Sequence, residues 1–205
     1  KEFERLLNLG IPISLLGVAS ELCSSVSIDD VKGAKLATQH LIDMGHRDIA
    51  IMTGQKEPVY DFKVANQRMQ GFLEALAENG IEFDTRNELL TDFTSSTAAI
   101  AMEEFLNRKK LPTAIFCESD EMAFGVYQAL SKKGLRVPED MSIVGYDGHD
   151  FAITIGLTTV AQPVRFLGQL AASQVMALIE KPDTAVSTMI VPTELIVRQS
   201  VLKIN

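Results

Sequence analysis

Three features of this 205-residue sequence predict an α/β fold with parallel sheets flanked by helices. Short apolar runs alternate with longer runs whose apolar residues recur at helical spacing. The short runs are apolar at successive positions, as strands buried on both faces are. Glycine, or Asn-Gly, closes the helical runs where a left-handed residue is needed.

Ile11 to Gly17 reads as a strand ended by glycine, and Ser27 to Asp30 hands over to a helix running through Met44. Ala37, Leu41 and Met44 share a face of that helix, and Gly45 closes it. Ile49 to Gly54 is the next strand. Met69, Phe72, Leu73, Leu76 and Ala77 then mark an amphipathic helix that Asn79-Gly80 ends. A strand over Glu88 to Asp92 precedes a helix with Ala98, Ala101, Met102, Phe105 and Leu106 on one stripe. Ala114 to Cys117 is a buried strand, and Met122, Val126, Ala129 and Leu130 mark the helix after it, stopped by Gly134. Ser142 to Tyr146 is the last central strand. Such alternation requires crossover helices that bury their stripes on the sheet.

Composition narrows the function. The chain has 46% hydrophobic and 22% charged residues, which is ordinary for a globular protein. Its formal net charge is −8, so its own surface is repelled by phosphate and is a poor nucleic-acid interface. No apolar run reaches membrane-spanning length, and the charged start Lys1-Glu2-Phe3-Glu4-Arg5 is unlike a signal peptide. Cys23 and Cys117 lack C-x-x-C spacing and read as buried free thiols, which fits a reducing cytoplasm.

In open parallel sheets, ligands bind beyond the carboxyl ends of the strands. That rule nominates Thr53-Gly54, Asp92-Phe93, Glu118-Ser119-Asp120 and Asp147-Gly148-His149. Asp147, Asp120 and Ser119 can bond hydroxyls, Phe93 offers a flat apolar face, and Arg68 carries five fixed donors. Polar groups around an aromatic face match a sugar, with its hydroxyl rim and C–H patches. Position alone leaves Arg68 equally readable as a surface residue and Asp147 as a turn or helix-capping residue. The nucleophile-elbow, phosphate-loop and dinucleotide glycine motifs are absent, so the reading is a binding protein and not an enzyme, with no cofactor. His40 and His46 suit packing or capping. His149, near Asp147 and Asp150, lacks metal-ligand spacing, so no metal is expected. Glu118, Asp120 and Glu121 could be read as glycosidase carboxylates, although Glu121 better suits a helix start.

Several stretches together resemble the lactose-repressor/galactose-repressor family of transcription regulators. They are residues 26–34 (VSIDDVKGA), 40–50 (HLIDMGHRDIA), 68–72 (RMQGF), 112–125 (PTAIFCESDEMAFG) and 134–147 (GLRVPEDMSIVGYD), with 157–163 (LTTVAQP) after them. They follow the family's order over nearly the whole chain. The resemblance implies a two-lobed, periplasmic-binding-protein-like type I sensor with its effector in the cleft between lobes. It implies a cytoplasmic, homodimeric repressor that binds a sugar or related molecule and controls operator DNA allosterically.

Position by position, the resemblance makes Arg68 the arginine that grips the ligand, Asp147 the hydroxyl-binding aspartate and Phe93 the stacking aromatic. Ser119 falls where sugar-binding members carry a polar side chain, and Asp29 and Gln162 at the crossings between lobes. It assigns dimer contacts to Met122, Phe124 and Phe151, with Met122 equally suited to the core. Residues 28–161 and 187–205 would form a nearly complete DNA-distal effector-binding lobe, including a final strand near Met189 to Val197. Residues 1–27 and 162–186, with a helix aligning Val164, Leu167, Ala171 and Leu178, would be a partial DNA-proximal lobe of an N-terminally truncated chain. The operator DNA would be read by a head domain outside this chain. The alternative is a periplasmic sugar-binding protein of a transporter, built on the same plan.

Overall fold

The computed structural model describes residues 2–7, 9–54 and 63–204. In chain order the elements are α1 (Glu2–Leu7), β1 (Ser14–Leu16), β2 (Ser24–Ile28), α2 (Asp30–Asp43), β3 (Ile49–Thr53), α3 (Val64–Glu78), β4 (Glu88–Leu90), α4 (Ser95–Phe105), β5 (Ala114–Cys117), α5 (Asp120–Lys132), β6 (Ser142–Asp147), α6 (Asp150–Thr154), β7 (Thr158–Ala161), α7 (Val164–Glu180), β8 (Thr188–Val191) and β9 (Glu194–Ile196). The chain divides into two compact units, Lys1–Asp29 with Gln162–Thr193 and Asp30–Ala161 with Glu194–Asn205.

The larger unit carries a six-stranded sheet in the order β4-β3-β5-β6-β7-β9, with β9 alone antiparallel. All five residues of β3 and all four of β5 are buried, which explains their unbroken apolar character. Side chains alternate between faces. Ala50, Met52, Ile115, Cys117 and Ile143 pack with Ala98, Met102, Val126 and Leu130 of α4 and α5. Phe116, in the opposite phase, stacks on Phe72 of α3 at 6.4 Å between ring centroids. Helix starts are capped as their residues allow, Thr94 accepting from the Thr97 N–H and Ser119 from the Met122 N–H.

The smaller unit holds a three-stranded parallel sheet, β1-β2-β8. Its core is small, with Val26, Leu167 and Val191 packed against Ile28, Leu170 and Ala171. Along α7, Leu167 and Gln174 are buried while Val164, Phe166, Met176 and Ile179 are exposed.

Two expectations change. Strand β2 was missed because three of its five residues, Ser24, Ser25 and Ser27, are serine, although the first four residues are buried. Its hydroxyls are absorbed by neighbours, Ser25 donating to Thr188 Oγ1 and Ser24 accepting from the Ser187 N–H. The single strand expected over Met189 to Val197 is two strands in different sheets, β8 in the smaller unit and β9 in the larger. Pro192, which lacks the N–H a ladder needs, lies between them.

Candidate functional site

The five parallel strands of the larger unit end at Thr53, Leu90, Cys117, Asp147 and Ala161, and polar side chains gather at or just beyond three of those ends. Arg68 lies in the second turn of α3 and is only 5% exposed. A guanidinium held this dry needs counter-charge and acceptors. Its Nε donates to Asp30 Oδ1 at 2.7 Å, its Nη1 donates to the Glu118 carbonyl, and Nη1 lies 3.6 Å from Asp147 Oδ1. The guanidinium carbon also sits 3.7 Å from the centroid of the Tyr146 ring. Burial by itself would push the Arg68 proton off, and the Asp30 and Asp147 carboxylates more than offset it, so the group is held above its ordinary value. The Nη2 group makes no hydrogen bond among the described residues.

The cluster extends to the aromatic. The fully buried Glu118 accepts the Gly54 N–H on Oε2 at 3.1 Å, tying the end of β5 to the end of β3. Phe93 adopts a left-handed backbone (φ 68°), unusual for a non-glycine residue, and its half-buried ring lies against Gly54. A Cβ at position 54 would collide with that ring, so glycine is what permits the contact. Arg68, Asp147 and Phe93 are therefore linked through Gly54 and Glu118 in one connected network.

Other nominated residues stand elsewhere. The Ser119 hydroxyl is used as the cap of α5, accepting from the Met122 N–H at 3.2 Å, and Ser119 is buried. Asp29 and Gln162 belong to the smaller unit, at its last residue before one crossing and its first after another. Met122 is fully buried in the core with Ala98 and Val126, so it has no surface to offer a second subunit, contrary to the expectation of a dimer contact. Phe124 and Phe151 form an edge-to-face pair at 5.3 Å, and Phe151 is 49% exposed. The His149 ring packs edge-on against Phe124, and its Nδ1 accepts the Phe151 N–H. His46 bridges Thr113 Oγ1 and the Leu202 carbonyl, and burial lowers its pKa.

Sequence reasoning missed Asp30, and it nominated Glu118 without its backbone bond to Arg68. Asp30 had a signal, because a buried arginine demands a carboxylate and Asp30 opens a helix. Glu118 had none for Arg68, because it contributes a backbone carbonyl. Among the described residues no group of three or more His, Cys, Asp or Glu is arranged to hold a metal. Cys23 and Cys117 are free and buried. No helix among the described residues is long and apolar enough to cross a membrane.

A family model described as a periplasmic binding protein-like domain matches residues 38–201. The probable HTH-type transcriptional repressor ExuR of Bacillus subtilis is 34% identical over 199 residues, covering 95% of this chain and 59% of that protein. The ribose operon repressor of Haemophilus influenzae is 35% identical over 175 residues, 84% of this chain and 52% of that protein. The chain thus spans about half the length of the curated relatives it matches. Among solved structures, a LacI family transcriptional regulator from Enterococcus faecium with bound ribose superimposes with a TM-score of 0.87 at 31% identity, covering 98% of this chain and 75% of that one.

Proposed function

This chain belongs to the periplasmic binding protein-like family and, within it, to the LacI family of transcriptional regulators, and from that premise we propose that it is the effector-sensing part of a bacterial repressor. The effector is a sugar or sugar-like molecule. One observation carries the reading: a buried guanidinium, with Nη2 unengaged among the described residues, next to Asp147 and linked to Phe93 at the carboxyl ends of the strands.

Arg68 and Asp147 supply donors and acceptors for vicinal hydroxyls, and Phe93 a face for ring C–H groups. Asp30 and Tyr146 hold the guanidinium in place, so little ordering entropy is lost on binding. Nothing in the cluster is a nucleophile beside a base, which supports binding over catalysis. The solved relatives that hold ribose and cellobiose support the sugar class.

In the whole protein, a DNA-binding part outside this chain reads the operator, as the HTH-type names of the relatives suggest. The larger unit is the DNA-distal lobe, and the protein works in the cytoplasm as a homodimer with Phe124 and Phe151 at the contact. The effector acts by binding one conformational state better than another, typically by about 1–3 kcal/mol of coupling.

Isothermal titration of this chain with ribose, cellobiose and hexuronates tests the reading. One of them binds, and Arg68→Ala weakens it by roughly 2–5 kcal/mol. Full affinity in the variant would exclude Arg68 as the effector's anchor.

A further inference from the structure

Asp120 stands in the same region but is not placed to meet a ligand. It is 1% exposed and opens α5 behind the Ser119 cap. Its Oδ1 accepts from Thr159 Oγ1 at 2.7 Å and its Oδ2 from the His149 N–H at 2.7 Å. The Gly148 N–H reaches Thr159 Oγ1 at 3.3 Å, which draws β7 into the same arrangement. Gly145 on β6 is bare at this point, and a Cβ there would collide with Asp120 Oδ1. The carboxylate thus lies against the end of β6 and gathers the turn that follows.

That turn is the one that presents Asp147. Asp147 has φ 116° and Gly148 φ 76°, two successive residues in the left-handed half of backbone space. An aspartate there persists only if its surroundings impose the conformation. The bonds to His149 and Thr159 are what the structure offers for that purpose.

We propose that Asp120 is a positioning residue of the effector site: its carboxylate holds the Asp147–His149 turn so that Asp147 stays beside Arg68, and protonation of Asp120 loosens that hold. The proposal rests on the effector-binding reading and adds a pH response to it. Burial raises the Asp120 pKa to about 6, with its hydrogen bonds to Thr159 and His149 opposing and the charge of Asp147 adding to the rise. The titratable and charged groups around it are Asp147 on the turn, Arg68 bound to Asp147, His149, and Cys117 and Glu118 at the end of β5. Burial and the nearby carboxylates push the Cys117 thiol well up, so it stays neutral. Above pH 6 the turn is held by charge-assisted bonds. Below it those bonds become neutral ones, about half as strong.

The experiment follows the carboxyl carbon of Asp120 and the backbone amides of Gly148 and His149 by NMR from pH 8 to pH 5 in the full chain. In parallel, affinity for the ribose, cellobiose and hexuronate panel is measured by calorimetry. His149→Asn, which keeps a helix-capping acceptor, serves as a control that leaves Asp120 in place. The amides are expected to move with the Asp120 carboxyl, with a common midpoint near pH 6. Affinity is expected to fall about fivefold from pH 7.5 to pH 5, the difference between a charged and a neutral hydrogen bond. Asp120→Asn flattens that profile near its low-pH level. Thr159→Val weakens binding at every pH and Thr159→Ser restores it, which keeps the test alive if Asp120→Asn does not fold. Amides that ignore the Asp120 titration, or a Thr159→Val protein with unaltered affinity, would overturn the proposal. If no panel sugar binds the wild-type chain, the effector reading fails separately, and the amide titration still decides the role of Asp120.

Discussion

Arg68→Ala removes the centre of the strand-end cluster, and its consequences can be worked from the surroundings. The Asp30 side chain is 6% exposed and pairs with Arg68 Nε at 2.7 Å. The substitution therefore strands a buried carboxylate and takes a donor from the Glu118 carbonyl. Removing one partner of a buried pair costs about 3–5 kcal/mol, against a total stability of roughly 5–15 kcal/mol. The guanidinium–Tyr146 contact is lost with it and is not counted twice. For a chain of this size each kcal/mol moves Tm by roughly 2–4 °C, so scanning calorimetry should find a drop of about 6–20 °C. Adding Asp30→Asn to Arg68→Ala removes the stranded charge, and the double variant should recover about 1–3 kcal/mol relative to the sum of the single changes. A coupling below about 0.5 kcal/mol, or an Arg68→Ala midpoint within the error of wild type, would refute the idea that the pair is buried and mutually dependent.

Four further outcomes follow from the same structure. Gly54→Ala forces the half-buried Phe93 ring off the end of β3; urea unfolding should change little, while affinity for the proposed sugar effector falls about two- to tenfold, the worth of an aromatic contact. Phe151→Glu tests the proposed dimer contact by placing a charge on the exposed Phe124–Phe151 pair, and sedimentation equilibrium is expected to show self-association weakened at least about tenfold. His46→Ala removes the bridge between Thr113 and the Leu202 carbonyl and should cost about 1–3 kcal/mol in urea unfolding, because the carbonyl is left without its donor. Asp120, raised from 3.8 to about 6, contributes stability that is complete below pH 4 and lost as pH rises through 6. The shift corresponds to about 3 kcal/mol, so Asp120→Asn should gain on wild type by up to that amount between pH 4 and pH 8 in urea midpoints.

The central strands were legible because β3 and β5 are buried on both faces and so are apolar throughout. The strand-end rule then placed Arg68's partners Glu118 and Asp147, and Phe93, in one region before any resemblance was invoked. What escaped shares a physical cause, namely that polar groups were used internally. The serines of β2 are satisfied by neighbours, Ser25 by Thr188 and Ser24 by the Ser187 N–H, so a buried strand lacks the apolar run that marks β3 and β5. The Ser119 hydroxyl caps a helix, and composition does not distinguish a cap from a ligand contact. Asp29 and Asp30 are adjacent, and only the turn of α2 decides which one faces Arg68. Met122 lies on the apolar stripe of α5, and periodicity marks the stripe without saying which members reach the surface.

The carboxylates of this site argue that it is kept at some cost. A wholly apolar arrangement at the ends of β5 and β6 would avoid desolvating Glu118, Asp120 and Asp30, and buried ionic groups are weak stabilisers at best. Asp120 in particular destabilises the fold at neutral pH by remaining charged where burial opposes charge. Its neutral isostere would accept the His149 N–H almost as well in a static view. The difference lies in the strength of the hold on a turn whose aspartate sits at φ 116°. A neutral acceptor leaves that residue freer to relax toward ordinary backbone geometry and away from Arg68. Stability surrendered at position 120 is thus converted into the placement of Asp147, which is the direction of trade expected where a binding site, and not the core alone, constrains the residue.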